Sequence, residues 1–285
     1  MKGNVVPMFS EPEPAAGETA DGPSPRALLR LSGISKVFAN GTVALDNVDL
    51  TIRAGEFLTL LGPSGCGKST LLKMIAGLGG PSTGIIDWPQ SSYDALGEPE
   101  RLLGYVFQEP TLLPWSSVFD NVYLPLKLAG QRKEAVRERI MLALSQVGLS
   151  RFANAYPREL SGGMKMRVSI ARALVTNPKI LLMDEPFAAL DEITRTKLNN
   201  DLLKLFAKQN LTVIFVTHSV YESVYLSSRI VVMSARPGRV SSEIAIDMPY
   251  PRDEEFRVST VYNDYCRRAS EALHRAMAES PSEPE

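Results

Sequence analysis

Cysteine and histidine are scarce in this chain of 285 residues, with two of each. Cys66 and Cys266 alone form no disulfide framework and no cysteine cluster, and their scarcity fits a reducing compartment. An excess of one charge is also missing: 31 Lys and Arg stand against 32 Asp and Glu. The resulting net charge of -1 gives no basic footprint, so nucleic acid is not expected as a partner. No apolar run approaches the roughly 18 residues that a membrane helix needs. The longest, such as LTVIFV from Leu211, have the length of strands. The first residues carry Lys2 but no apolar stretch and run straight into SEPEPAAGETADGPSP, so no secretory signal is expected.

What is present is an ordinary soluble composition, 44% hydrophobic, and enough chain for one large α/β domain or two small ones. Residues 1–25 are rich in Pro, Glu and Ala, and the last seven, 279–285, read ESPSEPE; both tails are expected to be disordered. Between them strand and helix patterns alternate. VDLTI from Val48 alternates as a half-buried strand does, and EFLTLLG is an apolar strand leading into Gly62. KSTLLKMIAGL follows as a helix closed by Gly77, and LLGYVFQ as a short strand ending at Gln108. Helices are expected over 116–129, 133–147, from Ser161, over 192–209, 219–227 and 253–278. Strands are expected at KILLMD, LTVIFVTH and RIVVM. This order predicts a largely parallel sheet wrapped by helices, with a helical lobe inserted over about 110–172.

The stretch GPSGCGKST comprises Gly62, Pro63, Ser64, Gly65, Cys66, Gly67, Lys68, Ser69 and Thr70. It lies between a predicted strand and a predicted helix, the context that separates a phosphate-binding P-loop from a chance glycine-rich turn. Its glycines let backbone N–H groups turn inward around phosphate oxygens, and the helix N-terminus adds partial positive charge. Lys68 then reaches the β- and γ-phosphates and Ser69 offers a hydroxyl to Mg²⁺. Cys66 reads as a small tolerated side chain. ILLMDEP ends a strand in two acids: Asp184 for Mg²⁺, and Glu185 to polarise an attacking water. Without the P-loop, the same pair would read as an acidic strand end capping a turn. His218 and Gln108 end two further strands at the sheet edge where ligands collect, suiting a γ-phosphate contact and the orientation of water or metal. His274 has no such setting and reads as a surface residue. Phe38, in KVFANGTVAL, is either an exposed aromatic that stacks on a purine or a core residue.

A second glycine-rich helix start lies in LSGGM. Ser161 stands where an N-cap belongs, and Gly162 and Gly163 leave the backbone N–H groups bare. Met164, Val168, Ala171 and Val175 recur at helical spacing as one buried face. In isolation this is a capped helix.

The P-loop, YVFQ, LSGGM, ILLMDEP, AALD and the strand-end histidine, in this order, resemble the ATP-binding cassette (ABC) ATPases of transporters over roughly residues 26–250. The resemblance implies a P-loop α/β fold with a mainly parallel core, an antiparallel β subdomain and an inserted helical subdomain, followed by a helical extension over 251–278. It implies ATP and Mg²⁺, with Ser69, Gln108 and Asp184 as metal ligands. It further implies that two copies pair head to tail, Ser161, Gly162 and Gly163 of one capping the γ-phosphate held by the other. Phe38 becomes the adenine-stacking aromatic, Gln108 the residue that senses the membrane subunit, and Glu185 the catalytic base. Asp191 belongs to the dimer-contacting loop and His218 is the switch histidine. The partners implied are a second copy, transmembrane permease subunits and a periplasmic or lipid-anchored solute-binding protein. The place implied is the cytoplasmic face of the plasma membrane, peripherally bound.

LLPWSSVFDNV, LSGGM with Met164, DEPFAALD and MSARPGRV resemble the nitrate/sulfonate/taurine/bicarbonate importer branch in particular. Met166 stands where that branch often has Gln, and Ala188 where it often has Gly. Alternatives are an importer of another small solute, such as a pyrimidine precursor, or a soluble ABC ATPase of DNA repair, chromosome structure or translation. The short stretch between Gln108 and Leu160 leaves no room for the long arms of the repair proteins. A small-molecule kinase lacks the LSGG stretch. A permease helix is expected to dock on Gln108 with Leu112, Leu113, Pro114 and Trp115, unless Trp115 is core.

Overall fold

The computed structural model describes residues 27–92, 102–209 and 211–278. Both tails expected to be disordered lie outside those residues. In chain order the strands are β1 (Ala27–Val37), β2 (Val43–Arg53), β3 (Phe57–Leu61), β4 (Thr83–Asp87), β5 (Leu103–Val106), β6 (Ile180–Asp184), β7 (Thr212–Thr217), β8 (Arg229–Met233) and β9 (Val240–Ala245). The helices are α1 (Lys68–Ile75), α2 (Val118–Leu128), α3 (Arg137–Gln146), α4 (Gly162–Leu174), α5 (Glu192–Gln209), α6 (Val220–Leu226), α7 (Glu254–Val258) and α8 (Thr260–Ala278).

The larger sheet has the order β5-β6-β7-β3-β8-β9, parallel throughout except for the last pair. Every residue of β3, β6, β7 and β8 is buried. That is why their sequences read as unbroken apolar runs: a parallel strand covered on both faces has no solvent side. A smaller antiparallel sheet, β2-β1-β4, packs apolar residues such as Leu29, Ile34, Leu45 and Ile52 against Leu58, Leu60 and Ile214 of the larger one. Phe57, Phe206 and Phe215 lie together on the other side, with ring centroids 5.2 and 6.0 Å apart from Phe57. Each such side chain contributes about 1.5–3 kcal/mol through burial. The predicted fold class is borne out.

Between β5 and β6 the chain is helical, and α2, α3 and α4 pack on one another through Val118, Val122, Ile140, Leu144 and Val168. Ser117 ends the preceding loop and caps α2 by accepting from the Asp120 N–H at 3.1 Å, so the helix starts later than residue 116. Asn121, wholly buried, ties that loop down by accepting from the Leu113 N–H and donating to the carbonyls of Leu113, Ser116 and Ser117. The helix expected over 133–147 begins only at Arg137, after a turn. The single helix expected over 253–278 is two. Ser259 breaks it with an extended backbone; its hydroxyl donates to the Phe256 carbonyl and accepts from the Tyr262 N–H, closing α7 and opening α8. On α8, Tyr262, Cys266, Ala269, Ala272 and Ala276 form the buried face, against α6 and β8.

Because β3, β5, β6 and β7 run parallel, their carboxyl ends share one edge. Gly62, Asp184, Glu185 and His218 all lie at those ends, which is where open α/β sheets bind ligands. The strand expected to end at Gln108 stops at Val106, leaving Gln108 on the loop beyond and exposed.

Candidate functional site

The P-loop turns through left-handed backbone at Gly65 (φ +78°) and Gly67 (φ +92°) and then enters α1. A Cβ on Gly67 would sit 2.7 Å from both the Ala44 carbonyl and the Leu45 side chain, so the loop closes on β2 only with glycine there. The Lys68 ammonium, buried, donates to the carbonyls of Gly62 at 2.7 Å and Pro63 at 2.9 Å. It lies 3.9 Å from Glu185 Oε1. Cys66 is wholly buried under the loop, and burial pushes its thiol up, which makes it an inert packing group.

Ser69 donates to Asp184 Oδ1 at 2.6 Å, and Tyr105 donates to Asp184 Oδ2 at 3.2 Å. Burial, reinforced by that carboxylate, pushes the Tyr105 phenol up, so it stays a donor. Glu185 has φ +44°, the left-handed region that a residue with a Cβ seldom occupies. Its N–H donates to the Val216 carbonyl at 3.1 Å, which locks the turn. The carboxylate thereby stands between Lys68 and His218, with Oε2 3.1 Å from His218 Nδ1. Strain of this kind, held by its surroundings, is a mark of functional positions.

A cavity of about 420 Å³ brings together Phe38, Thr42, Val43 and Ala44 with Ser64, Gly65, Gly67, Lys68, Ser69 and Thr70, and with Gln108, Glu185 and Arg236. Phe38 is exposed there, not core. Among the residues singled out in the P-loop, Gly62 and Pro63 contribute the carbonyls that hold Lys68, and Cys66 stays beneath, so these three do not line the cavity.

Ser161, Gly162, Gly163 and Asp191 lie outside this cavity. Ser161 caps α4, accepting from the Met164 N–H at 3.3 Å, and Gly162 is exposed beside it. Gly163 is buried: a Cβ there would fall 2.6 Å from Thr194 Cγ2 on α5. Asp191 is exposed and caps α5 by accepting from the Thr194 N–H at 2.9 Å, a bond that holds its carboxyl below the usual range. Along α4, Met164 is only half-buried, while Met166, not expected inside, is buried. Beneath His218, buried Glu222 accepts from Thr217 Oγ1 at 2.6 Å and lies 4.0 Å from Arg195 Nε. Burial pushes the Glu222 carboxyl up, against the pull of Thr217 and Arg195.

Three features escaped the sequence reading. Tyr105 was visible only as part of an apolar strand. Thr194 carried no motif. Arg236 carries only a weak signal, the basic character of MSARPGRV.

A second cavity, about 310 Å³ and largely apolar, lies among β5, α2 and α4, with Phe107, Thr111, Leu124, Pro125 and Leu128 on its walls. This cavity lies beside the stretch expected to dock a permease helix, Gln108 with residues 112–115. Leu112 and Leu113 are half-buried, and the Asn121 bonds turn that loop inward, while Trp115 is 74% exposed and so is not core.

A strand, a P-loop and a helix, with an acid ending β6, the next strand but one in the same parallel sheet, define a P-loop ATPase. Within that class the chain belongs to the ABC transporter family, whose pattern matches residues 45–188. It is 47% identical over 246 residues to an uncharacterized ABC transporter ATP-binding protein of Methanocaldococcus jannaschii, covering 84% of this chain and 89% of that one. It is 45% identical over 230 residues to the aliphatic sulfonates import ATP-binding protein SsuB of Bacillus licheniformis, covering 80% and 87%. The dimeric structure of a bacterial ABC transporter cassette is similar with a TM-score of 0.65 at 34% identity, covering 78% of this chain and 100% of that one. A dimeric post-hydrolysis state of an ATP-binding cassette bound to ADP and Pi matches to the same extent. The resemblance to the importer branch and the assignment as an ATPase are thus borne out. Among the described residues no helix is long and apolar enough to cross a membrane.

Proposed function

We propose that this chain is the ATP-hydrolysing subunit of an importer for a small anion, a sulfonate, nitrate, taurine or bicarbonate. Relatives named for aliphatic sulfonate import favour the sulfonate among these. The subunit works as a head-to-tail pair beneath a separate permease on the cytoplasmic face of the membrane, fed by a solute-binding protein. In the P-loop cavity Phe38 stacks on the adenine, and the Gly65–Thr70 backbone and Lys68 hold the phosphates. Ser69 and Asp184 present hard oxygens 2.6 Å apart, and Ser69 and the Gln108 amide line the cavity. That donor set suits Mg²⁺, which takes few protein ligands and keeps phosphate oxygens and waters. When bound, Mg²⁺ neutralises charge on the phosphates. Glu185 accepts the proton of the attacking water, and His218, bonded to its carboxylate, fixes its direction. The permease helix seats in the apolar cavity beside Phe107, Thr111 and Leu128, the last 80% exposed. Cysteine crosslinks from Leu128 to the permease test that seat, and crosslinks forming only elsewhere would move it.

One observation carries the paired arrangement. The Ser161–Gly163 helix start carries exposed Ser161 and Gly162 at the opening of α4, yet it lies outside the cavity of its own chain. A mixed pair tests it. One subunit carries Lys68→Ala and the other Gly162→Asp, a position where a Cβ meets only Leu190 at 3.5 Å and the fold is not crowded. Each homodimer then has two damaged sites, whereas the mixed pair gathers both lesions into one site and leaves the other whole. Tight ATP binding at one site per mixed dimer is expected. No recovery on mixing, with Gly162→Asp harming only its own subunit, would sink the head-to-tail arrangement.

A further inference from the structure

We propose that Arg236 supplies a second cation to the phosphates of the bound nucleotide, in the same chain as the P-loop. The proposal rests on reading the 420 Å³ cavity as the nucleotide site. Arg236 lines that cavity, and its guanidinium Nη2 lies 3.9 Å from where a Cβ on Gly65 would stand. It is thus an immediate neighbour of the phosphate loop, although it comes from the far connection between β8 and β9.

That connection is pinned in place. The Gly238 N–H donates to the Ala44 carbonyl at 3.0 Å, and the Asp46 N–H donates to the Gly238 carbonyl at 3.0 Å. Arg239 Nε donates to Asp46 Oδ2 at 3.0 Å. A Cβ on Gly238 would fall 2.0 Å from the Cys66 carbonyl, so the connection lies directly on the P-loop and only glycine permits it. Arg236 itself is held at φ +39°. The bonds at Gly238 and Arg239 hold the backbone beside Arg236, and its guanidinium lies in the cavity next to Gly65. Among the residues lining the cavity the cations are Lys68 and Arg236, set against Glu185. Lys68 already has two carbonyl acceptors, whereas a di- or triphosphate brings several negative charges. A guanidinium fork matches two phosphate oxygens at once, and such charge-assisted pairs are about twice as strong as neutral ones. The ligand class is therefore a nucleoside di- or triphosphate.

The test uses the full chain with Arg236→Gln, Arg236→Lys and Lys68→Ala, measuring Kd for Mg²⁺-ATP and Mg²⁺-ADP at two salt concentrations beside each thermal midpoint. Arg236→Gln should weaken both nucleotides about tenfold and flatten the salt dependence. Arg236→Lys should fall between Gln and the parent. Parental affinity in Arg236→Gln, or a Lys variant no better than Gln, would overturn the proposal while leaving the cavity assignment intact. Full affinity in Lys68→Ala would instead overturn the cavity assignment and this inference with it.

Discussion

Helices α1 and α4 both begin at glycine-rich turns, yet the two starts are built differently. At α1 the N-cap is Gly67, no side chain satisfies the first N–H groups, and the buried Lys68 stands beside them in a cavity walled by the chain itself. At α4, Ser161 already satisfies one N–H, and the turn opens outward. The first start is walled by its own chain on the P-loop side. The second, on the reading proposed above, becomes a binding site only when another molecule brings the ligand to it. Enclosure, more than sequence motif, separates the two.

The largest effect should come from the enclosed site. Glu185→Gln keeps the shape and removes the base, so turnover should fall about 10²–10⁴-fold while ATP binding persists. Near-normal hydrolysis would remove Glu185 from the chemistry. At the open site, Gly163→Ala sharpens the contrast by separating packing from ligand binding. The added Cβ would meet Thr194 Cγ2 at 2.6 Å. Overpacking of this kind costs about 1–3 kcal/mol, read as a lowered thermal midpoint. Thr194→Ser in the same chain deletes that methyl and should restore the midpoint; failure to do so would mean that Gly163 is required for its backbone alone.

Phe38→Ala should weaken nucleotide binding roughly five- to tenfold without changing stability, because the ring is exposed before any base arrives. A loss of stability with unchanged affinity would return Phe38 to a packing role. The smallest effect is expected at Glu222. Its carboxyl is raised by burial, so its contribution to stability is full below the ordinary carboxylate range and is lost as pH rises through the raised folded value. Glu222→Gln should therefore gain on the parent as pH climbs from acid toward neutral, seen in paired melting curves. A gap that narrows over that range would show that the Thr217 and Arg195 contacts outweigh desolvation.

The sequence disclosed most where one strand or one loop carries the whole signal. β3, β6, β7 and β8 were legible because burial on both faces leaves no polar interruption. β4 and β9 were not, because each is a sheet edge: TGIID is largely exposed and VSSEIA buries only Ile244. The break at Ser259 was hidden because serine suits a helix exterior as well as a cap. P-loop, Asp184, Glu185 and His218 were readable because their chemistry is written contiguously at strand ends. Tyr105 reaches Asp184 only through the β5–β6 register, which sets Tyr105 opposite Leu182. Arg236 reaches Gly65 only through the packing of a distant connection. Neither leaves a local trace.

The first turn of α5 touches both the start of α4 and the residue beneath His218. Thr194 packs on Gly163 at the open helix start, and the adjacent Arg195 approaches Glu222, which holds the Thr217 hydroxyl just before His218. One rigid element thus has its two hands on opposite counters. In a head-to-tail pair each subunit would feel its neighbour's phosphate with one hand and steady its own histidine with the other. On the paired arrangement proposed above, two such subunits would close a ring of contacts with no free end, and loss of a phosphate at one site would reach the strand ends of the other.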